Sequence, residues 1–261
     1  MDAHDHAALE EAFSRAVLGP ARALIRIGHS SLETAGAERV PSVEGKSIWV
    51  ANHGGALPIE VMFWALAGHD AFGPQALPRC IVHDVLYKVL QSVPGARETL
   101  GRIAMPTKQL HDVADTSWRN LAIFPEGAHG NSKPWWRAYE TQRFRTGFAR
   151  VAAAHQARII PCAIIGNDEC TPVLATQRWS KRVLGAPLPL PASLVPLPMR
   201  WKVVFHEPLP PPPVDATREE LSEFASRTQR LIQETLDRET ADRRFVKVAR
   251  AVRATRRSIF G

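Results

Sequence analysis

Residues 48–60 read Ile-Trp-Val-Ala-Asn-His-Gly-Gly-Ala-Leu-Pro-Ile-Glu, and their pattern predicts a strand that passes through a short polar turn into a helix. The apolar run over residues 46–51 predicts a short buried strand. Pro58, placed just before an amphipathic stretch, predicts a helix over residues 59–66. Glycine costs conformational entropy unless the backbone must bend or approach another group closely. The Asn-His-Gly-Gly run between the two elements therefore indicates a functional site.

His53 is the candidate general base in this run, and Glu60 is the nearest downstream carboxylate that could hold its ring. In a continuous helix, seven residues span about 10 Å, which is beyond hydrogen-bond reach. The pairing therefore requires residues 54–57 to fold back as a turn before the helix begins. The alternative interpretation is that His53 satisfies a polar strand end and Glu60 complements the helix N-terminus.

Composition restricts the class of protein and its partners. With 261 residues, 45% of them hydrophobic and 23% charged, the chain is long and apolar enough for one globular α/β domain. The 33 Lys and Arg exceed the 26 Asp and Glu, so the net charge is +7, which favours an anionic partner such as acidic lipid headgroups, CoA or nucleic acid. The three cysteines have no metal-type spacing, so we expect no metal site, no disulfide framework and a reducing compartment.

Two patterns bear on localisation. The N-terminus, Met-Asp-Ala-His-Asp-His, lacks the basic region and apolar core of a signal peptide, so a cytoplasmic protein is expected. Residues 183–199 form an uncharged apolar run, but its five prolines are incompatible with a membrane-spanning helix. We expect this run to be irregular or extended and the protein to associate peripherally with a membrane.

Short apolar strands alternate with amphipathic helices along the middle of the chain, which predicts a single domain with a mostly parallel mixed sheet covered by helices on both faces. In open sheets of this kind, chemistry takes place beyond the strand ends. Residues 31–46 are predicted as a loop. The predicted strands are 46–51, 79–83, 103–105, 120–124, 158–165 and 201–205, and the predicted helices are 59–66, 85–93, 108–118 and 145–156.

Amphipathic helices are predicted at both ends, over residues 7–28 and 217–260. We divide the chain into an N-terminal helical segment (1–44), a central domain (45–213) and a basic helical extension (214–261). Seven basic residues within 243–257 alternate with apolar ones, which suits an anionic membrane surface. A nucleic-acid-binding segment or an ordinary solvated helix face would show the same pattern.

A second motif, Phe124-Pro125-Glu126-Gly127-Ala128-His129-Gly130, directly follows a predicted strand. Asn-His followed about 70 residues later by Phe-Pro-Glu-Gly resembles the first and third motifs of the glycerolipid acyltransferase family, the lysophosphatidate acyltransferases and their relatives. The family's first motif continues with four residues and then Asp. Here Pro58 occupies that position, and the next acid is Glu60.

Three further segments carry the same resemblance, which covers roughly residues 45–166. Residues 101–108 occupy the place of the second motif. Residues 143–149 resemble the helix start that follows the third motif, and residues 159–166 resemble the fourth motif, an apolar strand with an internal proline.

The resemblance implies an uncharged acceptor. In phosphate-binding members, arginines of the second and third motifs hold the acceptor's phosphate, and here Thr107 and His129 stand at those positions. The chain is therefore more similar to the branch that includes monoacylglycerol and diacylglycerol acyltransferases. Lys108, Lys133 or Arg143 could still bind a phosphate, so lysophosphatidate stays the alternative acceptor.

The resemblance also implies the reaction, which is transfer of a fatty acyl group from acyl-CoA or acyl-carrier protein to a lipid hydroxyl. His53 would be the base and Glu60 its partner, with no cofactor, no metal and no covalent intermediate. Backbone N–H groups around Gly54-Gly55 or Gly127 would stabilise the oxyanion. The substrate-binding residues implied are Asn52, Gly54, Thr107, Lys108, Phe124, Pro125, Glu126, Gly127, His129, Arg143 and Pro161.

Two other classes of function compete with the enzyme. A non-catalytic lipid-binding or membrane-docking protein on the same fold would not need a carboxylate within hydrogen-bond reach of His53, whereas the enzyme does. Nucleic-acid binding would leave the Asn-His and Phe-Pro-Glu-Gly motifs unexplained, so no nucleic-acid partner is predicted. The sequence leaves the oligomeric state open.

Overall fold

A computed structural model describes residues 3–41, 45–110, 118–177, 179–184 and 187–260. The strands are β1 (Ser30–Ala35), β2 (Ser47–Ala51), β3 (Arg79–Val82), β4 (Ala104–Pro106), β5 (Asn120–Ile123), β6 (Arg158–Ile165), β7 (Val173–Gln177), β8 (Leu188–Pro191) and β9 (Met199–Phe205). The helices are α1 (Ala3–Phe13), α2 (Gly19–Arg26), α3 (Glu60–Phe72), α4 (Asp84–Gln91), α5 (Ala96–Ile103), α6 (Thr107–Leu110), α7 (Gly147–His155), α8 (Asn167–Cys170), α9 (Ser180–Leu184), α10 (Arg218–Thr240) and α11 (Arg244–Phe260).

Seven strands form one sheet in the order β1-β9-β6-β2-β5-β3-β4. Every neighbouring pair is parallel except β6 with β9, so the predicted mostly parallel sheet is confirmed. Strand β2 lies at the centre, between β6 and β5. The carboxyl ends of these parallel strands meet at one edge of the sheet, called here the carboxyl edge, and residue 53 lies just beyond it.

Alternate side chains of β2 enter different cores, because successive residues of a strand point to opposite faces. Ile48 and Val50 belong to the core that includes residues of α7 and α10. Trp49 and Ala51 belong to the core that includes residues of α3. The central strand is thus buried on both faces, as expected for a parallel sheet covered by helices.

The terminal helices are amphipathic and pack on the domain. Apolar residues of α1, α2 and the π-helical turn between them (Ser14–Leu18) form a core cluster with Leu66 of α3. Helix α10 begins with a capping box in which Thr217 and Glu220 bond each other's backbone, and it packs on β6 and α7. Of the described helices, none is both long and apolar enough to cross a bilayer.

The loop predicted over residues 31–46 is wrong in its first part, because residues 30–35 form the edge strand β1. This strand pairs in parallel with β9, with Ser30 opposite Met199. Ser30–Ala35 is mostly exposed and has few apolar residues, so it lacks the pattern that marks a buried strand. Helix α5 and strand β7 also had no prediction. The helix predicted over 108–118 is observed at its start as α6, and residues 111–117 lie outside the described part of the chain.

The proline-rich run contains β8, which pairs antiparallel with β7 apart from the main sheet. We call the described residues of this segment, 171–177, 179–184 and 187–198, the hairpin flap. It leaves the carboxyl edge after β6 and α8 and returns to the sheet at β9.

Candidate active site

The turn between β2 and α3 depends on two adjacent glycines. A Cβ atom on Gly54 would lie 2.5 Å from Oδ1 of Asp168. Gly55 has a φ of +69°, and a Cβ there would lie 2.5 Å from the carbonyl oxygen of Asn167. A side chain at either position would collide with α8, so only glycine lets the chain turn this tightly against it.

This turn brings Glu60 back to His53. The Nδ1 atom of His53 is hydrogen-bonded to Oε1 of Glu60, whose side chain is completely buried. A carboxylate acceptor at Nδ1 selects the tautomer of the neutral ring that has its proton on Nδ1 and a lone pair on Nε2. No described residue is hydrogen-bonded to Nε2, and 13% of the His53 side chain is exposed. The ring stacks on Phe124 with 4.6 Å between centroids.

Glu126 braces the backbone around His53. Its Oε1 accepts a hydrogen bond from the backbone N–H of His53 at 2.8 Å, and its Oε2 accepts one from the backbone N–H of Gln142 at 2.6 Å. Burial raises the pKa of Glu126, although Lys133 and the two N–H donors act in the opposite direction. Both carboxyl oxygens are thus used to position the chain.

Lys133 and Asp168 form a buried ion pair beneath the same turn, with 3.3 Å between Nζ and Oδ2. Lys133 Nζ also donates to the carbonyl oxygen of His53 at 2.8 Å. Asp168 accepts from the backbone N–H groups of Gly55 at 3.2 Å and Tyr139 at 2.8 Å. Burial alone lowers the pKa of Lys133, but attraction to Asp168 and Glu126 outweighs it, so the pKa is raised and the amine stays charged.

Asn52 ties the end of β2 to β6 through its side chain. Its Nδ2 donates to the carbonyl oxygen of Ile164 at 3.0 Å, and its Oδ1 accepts from the Ile164 backbone N–H at 2.7 Å. The side chain is fully buried. Asn52 therefore continues the ladder between the two strands and holds its neighbour His53 at the carboxyl edge.

The structure brings together part of the predicted set of substrate-binding residues. Within or against the turn lie Asn52, Gly54, Phe124 and Glu126, and Pro125 and Gly127 flank Glu126 in the chain. Pro161 is instead buried inside β6, where it pairs with Val50. Arg143 and Lys108 are exposed, and Thr107 donates its hydroxyl to the carbonyl oxygen of Val82.

His129 is exposed and has two cationic neighbours. Its pKa is lowered by partial burial, then by the positive charges of Arg145 and Lys181. The guanidinium of Arg145 also lies near Gly127, where an added Cβ would be 3.5 Å from one of its nitrogens. Arg145 and Lys181 thus place positive charge at this part of the site, a contribution that the sequence motifs did not indicate.

Two expectations are wrong. Lys133 was a candidate phosphate ligand, but it is buried and bound to His53 and Asp168. The N–H groups of Gly55 and Gly127 were candidates for the oxyanion, but they already donate to Asp168 and to the carbonyl oxygen of Phe124. Gly54 is the member of this group whose N–H has no acceptor among the described residues.

Asp168 was missed by the sequence analysis. A signal for it exists, because Asn52-His53 directly follows β2 and Asn167-Asp168 follows the end of β6 after the single residue Gly166. Polar residues directly after neighbouring parallel strands meet at the same edge of a sheet.

Comparison with known proteins identifies the family of the chain. The acyltransferase family model matches residues 31–165. The chain belongs to this family, the glycerolipid acyltransferases, which confirms the resemblance seen in the motifs.

Its relatives include two mycobacterial proteins of uncharacterized function. ML2427 of Mycobacterium leprae is 33% identical over 248 residues, covering 90% of this chain and 67% of its own. Rv0502 of Mycobacterium tuberculosis is 32% identical over 251 residues, covering 90% and 68%. The chain therefore spans about two thirds of the length of these relatives.

Among solved structures, the fold matches that of the 1-acyl-sn-glycerophosphate (LPA) acyltransferase PlsC from Thermotoga maritima. The TM-score is 0.59 over 90% of this chain and 80% of that one, with 17% sequence identity. At this identity the likeness concerns the fold alone.

Proposed function

We propose that this acyltransferase moves a fatty acyl group from an acyl thioester, acyl-CoA or acyl-carrier protein, to a hydroxyl of a glycerolipid-type acceptor, with His53 as general base. The observation that carries the proposal is the hydrogen bond between His53 Nδ1 and the buried Glu60, with Nε2 left available. A non-catalytic lipid-binding protein would not need this pairing.

The proposed reaction begins when Nε2 of His53 takes the proton of the acceptor hydroxyl as its oxygen attacks the thioester carbonyl. The tetrahedral intermediate then collapses, the carbon–sulfur bond breaks, and the imidazolium returns the proton to the leaving thiolate. Glu60 orients the ring and stabilises its charged form. The Gly54 N–H is the proposed donor to the oxyanion.

Charges beneath the ring favour this cycle. The described residues place three buried carboxyl groups, Glu60, Glu126 and Asp168, around a single buried amine, that of Lys133. The raised pKa of Glu126 reduces its tendency to ionise, but the sum is still not positive. A positive imidazolium is therefore stabilised by its surroundings in a region that excludes most water.

For the acceptor we propose a neutral lipid such as monoacylglycerol or diacylglycerol. Thr107 and His129 stand where phosphate-binding members have arginines, and neither supplies a permanent cation. The proposed lining of the substrate site comes from two motifs and the segment after them. It consists of Thr107, Lys108, Phe124, Pro125, Glu126, Gly127 and Arg143. No cofactor or metal is proposed.

Lysophosphatidate is the second candidate acceptor, and a specific observation favours it. Arg145 and Lys181 lie close enough to His129 to lower its pKa, and Arg145 approaches Gly127. A guanidinium and an amine in this place could hold a phosphate that His129 does not.

The test is thiol release from palmitoyl-CoA with each of the three acceptors. His53→Ala and Glu60→Gln should each lower turnover by about 10²- to 10⁴-fold, the range expected for loss of general-base catalysis. His69→Ala is the matched control, because His69 also lies beside a carboxylate, with 3.0 Å between Nδ1 and Asp70 Oδ1, but at the surface. Its turnover should be that of the wild type.

Unchanged turnover in a folded His53→Ala protein would refute the mechanism. Turnover on the neutral acceptors alone would support the inference from Thr107 and His129. Turnover on lysophosphatidate, with a higher KM in Arg145→Ala or Lys181→Ala, would replace it with the phosphate-binding alternative.

A further inference from the structure

The hairpin flap exposes large apolar side chains to solvent. Trp179 is 65% exposed, Leu194 81% and Val195 70%. Leu174, Leu188 and Leu190 are exposed as well. Single exposed apolar residues are ordinary on a protein surface, but so many in one short segment mark an interaction surface.

The flap has a defined conformation, with a strand at its centre and a hydrogen-bonded turn at its tip. Leu188 and Leu190 are two residues apart in β8, so they share the exposed face of that strand. At the tip, the Ser193 hydroxyl donates to the carbonyl oxygen of Val195 at 2.8 Å, and the Val195 N–H donates back to Ser193 Oγ at 3.1 Å. This small turn holds Leu194 and Val195 outward.

The base of the flap is hydrogen-bonded to the turn between β2 and α3. The Ala56 N–H donates to the carbonyl oxygen of Thr171 at 2.8 Å, and the Leu57 N–H donates to its hydroxyl at 3.3 Å. The hydroxyl of Thr176 donates to the carbonyl oxygen of Ser132, in the segment that follows the Phe-Pro-Glu-Gly motif. The segment that carries the exposed apolar side chains is therefore hydrogen-bonded to both segments that form the candidate active site.

Charge at the flap points to an anionic surface. Lys181 and Arg182 of α9 are exposed and lie two and three residues after Trp179 in the chain. Aliphatic residues next to tryptophan and basic side chains are the composition of a protein surface that enters the headgroup region of a membrane. A protein partner would not need this combination.

Helix α11, which the sequence suggested for that role, is less suited to it. Three basic side chains of α11, and that of Arg243 just before it, form ion pairs within the chain. These pairs are Arg243–Glu169, Lys247–Asp242, Arg250–Asp237 and Arg253–Glu140.

We propose that the hairpin flap is the surface by which this protein docks on an anionic lipid bilayer. Trp179, Leu194 and Val195 enter the headgroup region, and Lys181 and Arg182 contact anionic headgroups. In this orientation the loop between β2 and α3, which carries His53, faces the membrane, where a lipid acceptor resides. The benefit for catalysis rests on the proposed function, but the docking itself does not.

The experiment is sedimentation of the full chain with two kinds of vesicle. One is phosphatidylcholine containing about 30% of the anionic lipid phosphatidylglycerol, and the other is pure phosphatidylcholine. Leu194→Asp/Val195→Asp should lower the vesicle partition coefficient by at least about tenfold, since it places two carboxylates where apolar side chains insert. Lys181→Ala/Arg182→Ala should weaken binding to the anionic vesicles only.

The matched control is Val214→Asp/Val248→Asp, two exposed valines outside the flap, of which Val214 is 71% exposed. This control should bind vesicles like the wild type. Equal binding by the Leu194→Asp/Val195→Asp protein and the wild type would overturn the proposal. A wild type that does not bind vesicles but forms dimers lost in the same variant would overturn it too, and would assign the flap to a second copy of the chain.

A parallel measurement separates docking from chemistry. On a short-chain acceptor dissolved in water, Leu194→Asp/Val195→Asp should turn over like the wild type, whereas on diacylglycerol in vesicles its rate should fall with its binding. Absence of turnover in the wild type would count against the proposed function and would leave the vesicle result as the test of the flap.

Discussion

The ion pair beneath His53 and the ion pair between Arg250 of α11 and Asp237 of α10 use the same types of residue in opposite surroundings. The side chains of Lys133 and Asp168 are 2% and 4% exposed, whereas those of Arg250 and Asp237 are 40% and 57% exposed. The buried pair also bonds three backbone groups, those of His53, Gly55 and Tyr139. The surface pair joins α11 to α10 and bonds no backbone group in the described part of the chain.

Burial therefore determines whether an ion pair holds the backbone in place or adds little to stability. Removing two charges from water is costly, so a buried pair lasts only where further hydrogen bonds satisfy both groups, and losing one partner leaves the other charge unpaired. At the surface, water replaces a lost partner and salt screens the attraction. The buried pair therefore fixes the position of His53, and the surface pairs only help α11 to lie on the domain.

The largest effect is expected from Lys133→Met. The variant keeps most of the side-chain volume but leaves Asp168 charged and buried, so the free energy of unfolding should fall by about 3–5 kcal/mol. Urea denaturation measures this loss. Turnover should fall as well, because the carbonyl oxygen of His53 loses its donor.

The double variant Lys133→Met/Asp168→Asn separates the pair from its parts. Since the second change removes the unpaired charge, the double variant should lose less stability than the sum of the two single variants. Additive losses in the double variant, or a loss below about 1 kcal/mol in Lys133→Met, would show that burial does not make this pair important for the free energy of unfolding.

His206 tests a buried titratable group that lacks an ion-pair partner among the described residues. Burial, then the positive charges of Arg39 and Arg238, lower its pKa from 6.5 to about 4. Between these pH values the unfolded chain binds more protons than the folded one. The folded state is therefore destabilised as the pH falls from 6.5 toward 4, and this destabilisation is absent well above pH 6.5.

We expect His206→Gln to remove roughly 2 kcal/mol from the decrease in stability across this window. Unfolding by urea at pH 7 and pH 4.5 measures the difference between wild type and variant, which cancels the contribution of other titrating groups. A difference that does not change with pH would mean that His206 titrates alike in both states.

The smallest effect is expected from Arg250→Ala, which removes a surface pair with 2.9 Å between Arg250 Nη2 and Asp237 Oδ1. The free energy of unfolding should fall by less than about 1 kcal/mol, and the loss should shrink in 1 M salt. Asp237→Asn is the matched variant from the other side of the pair. A loss as large as that of Lys133→Met would overturn the contrast between buried and exposed pairs.

Local patterns in the sequence were sufficient for six of the seven strands of the main sheet and for the place of Asn52 and His53 at a strand end, but not for β1, α5 or β7. Buried strands and amphipathic helices have different apolar periods, which can be recognised within ten or so residues. Asn52, His53 and the Phe-Pro-Glu-Gly run lie at strand ends for the same local reason. Strand β1 escaped this reasoning because it is an exposed edge strand, formed by pairing with a strand about 170 residues later.

The amino-acid sequence alone was therefore enough to predict the α/β architecture, the family and the histidine at the carboxyl edge. The tertiary structure decided the partners: that Glu60 reaches His53, that Lys133 and Asp168 lie beneath the turn, and that much of the positive charge of α11 is paired. The physical reason is distance along the chain. Periodicity is a property of neighbouring residues, whereas an ion pair or a buried hydrogen bond joins residues from separate elements, and only their packing brings the two atoms together.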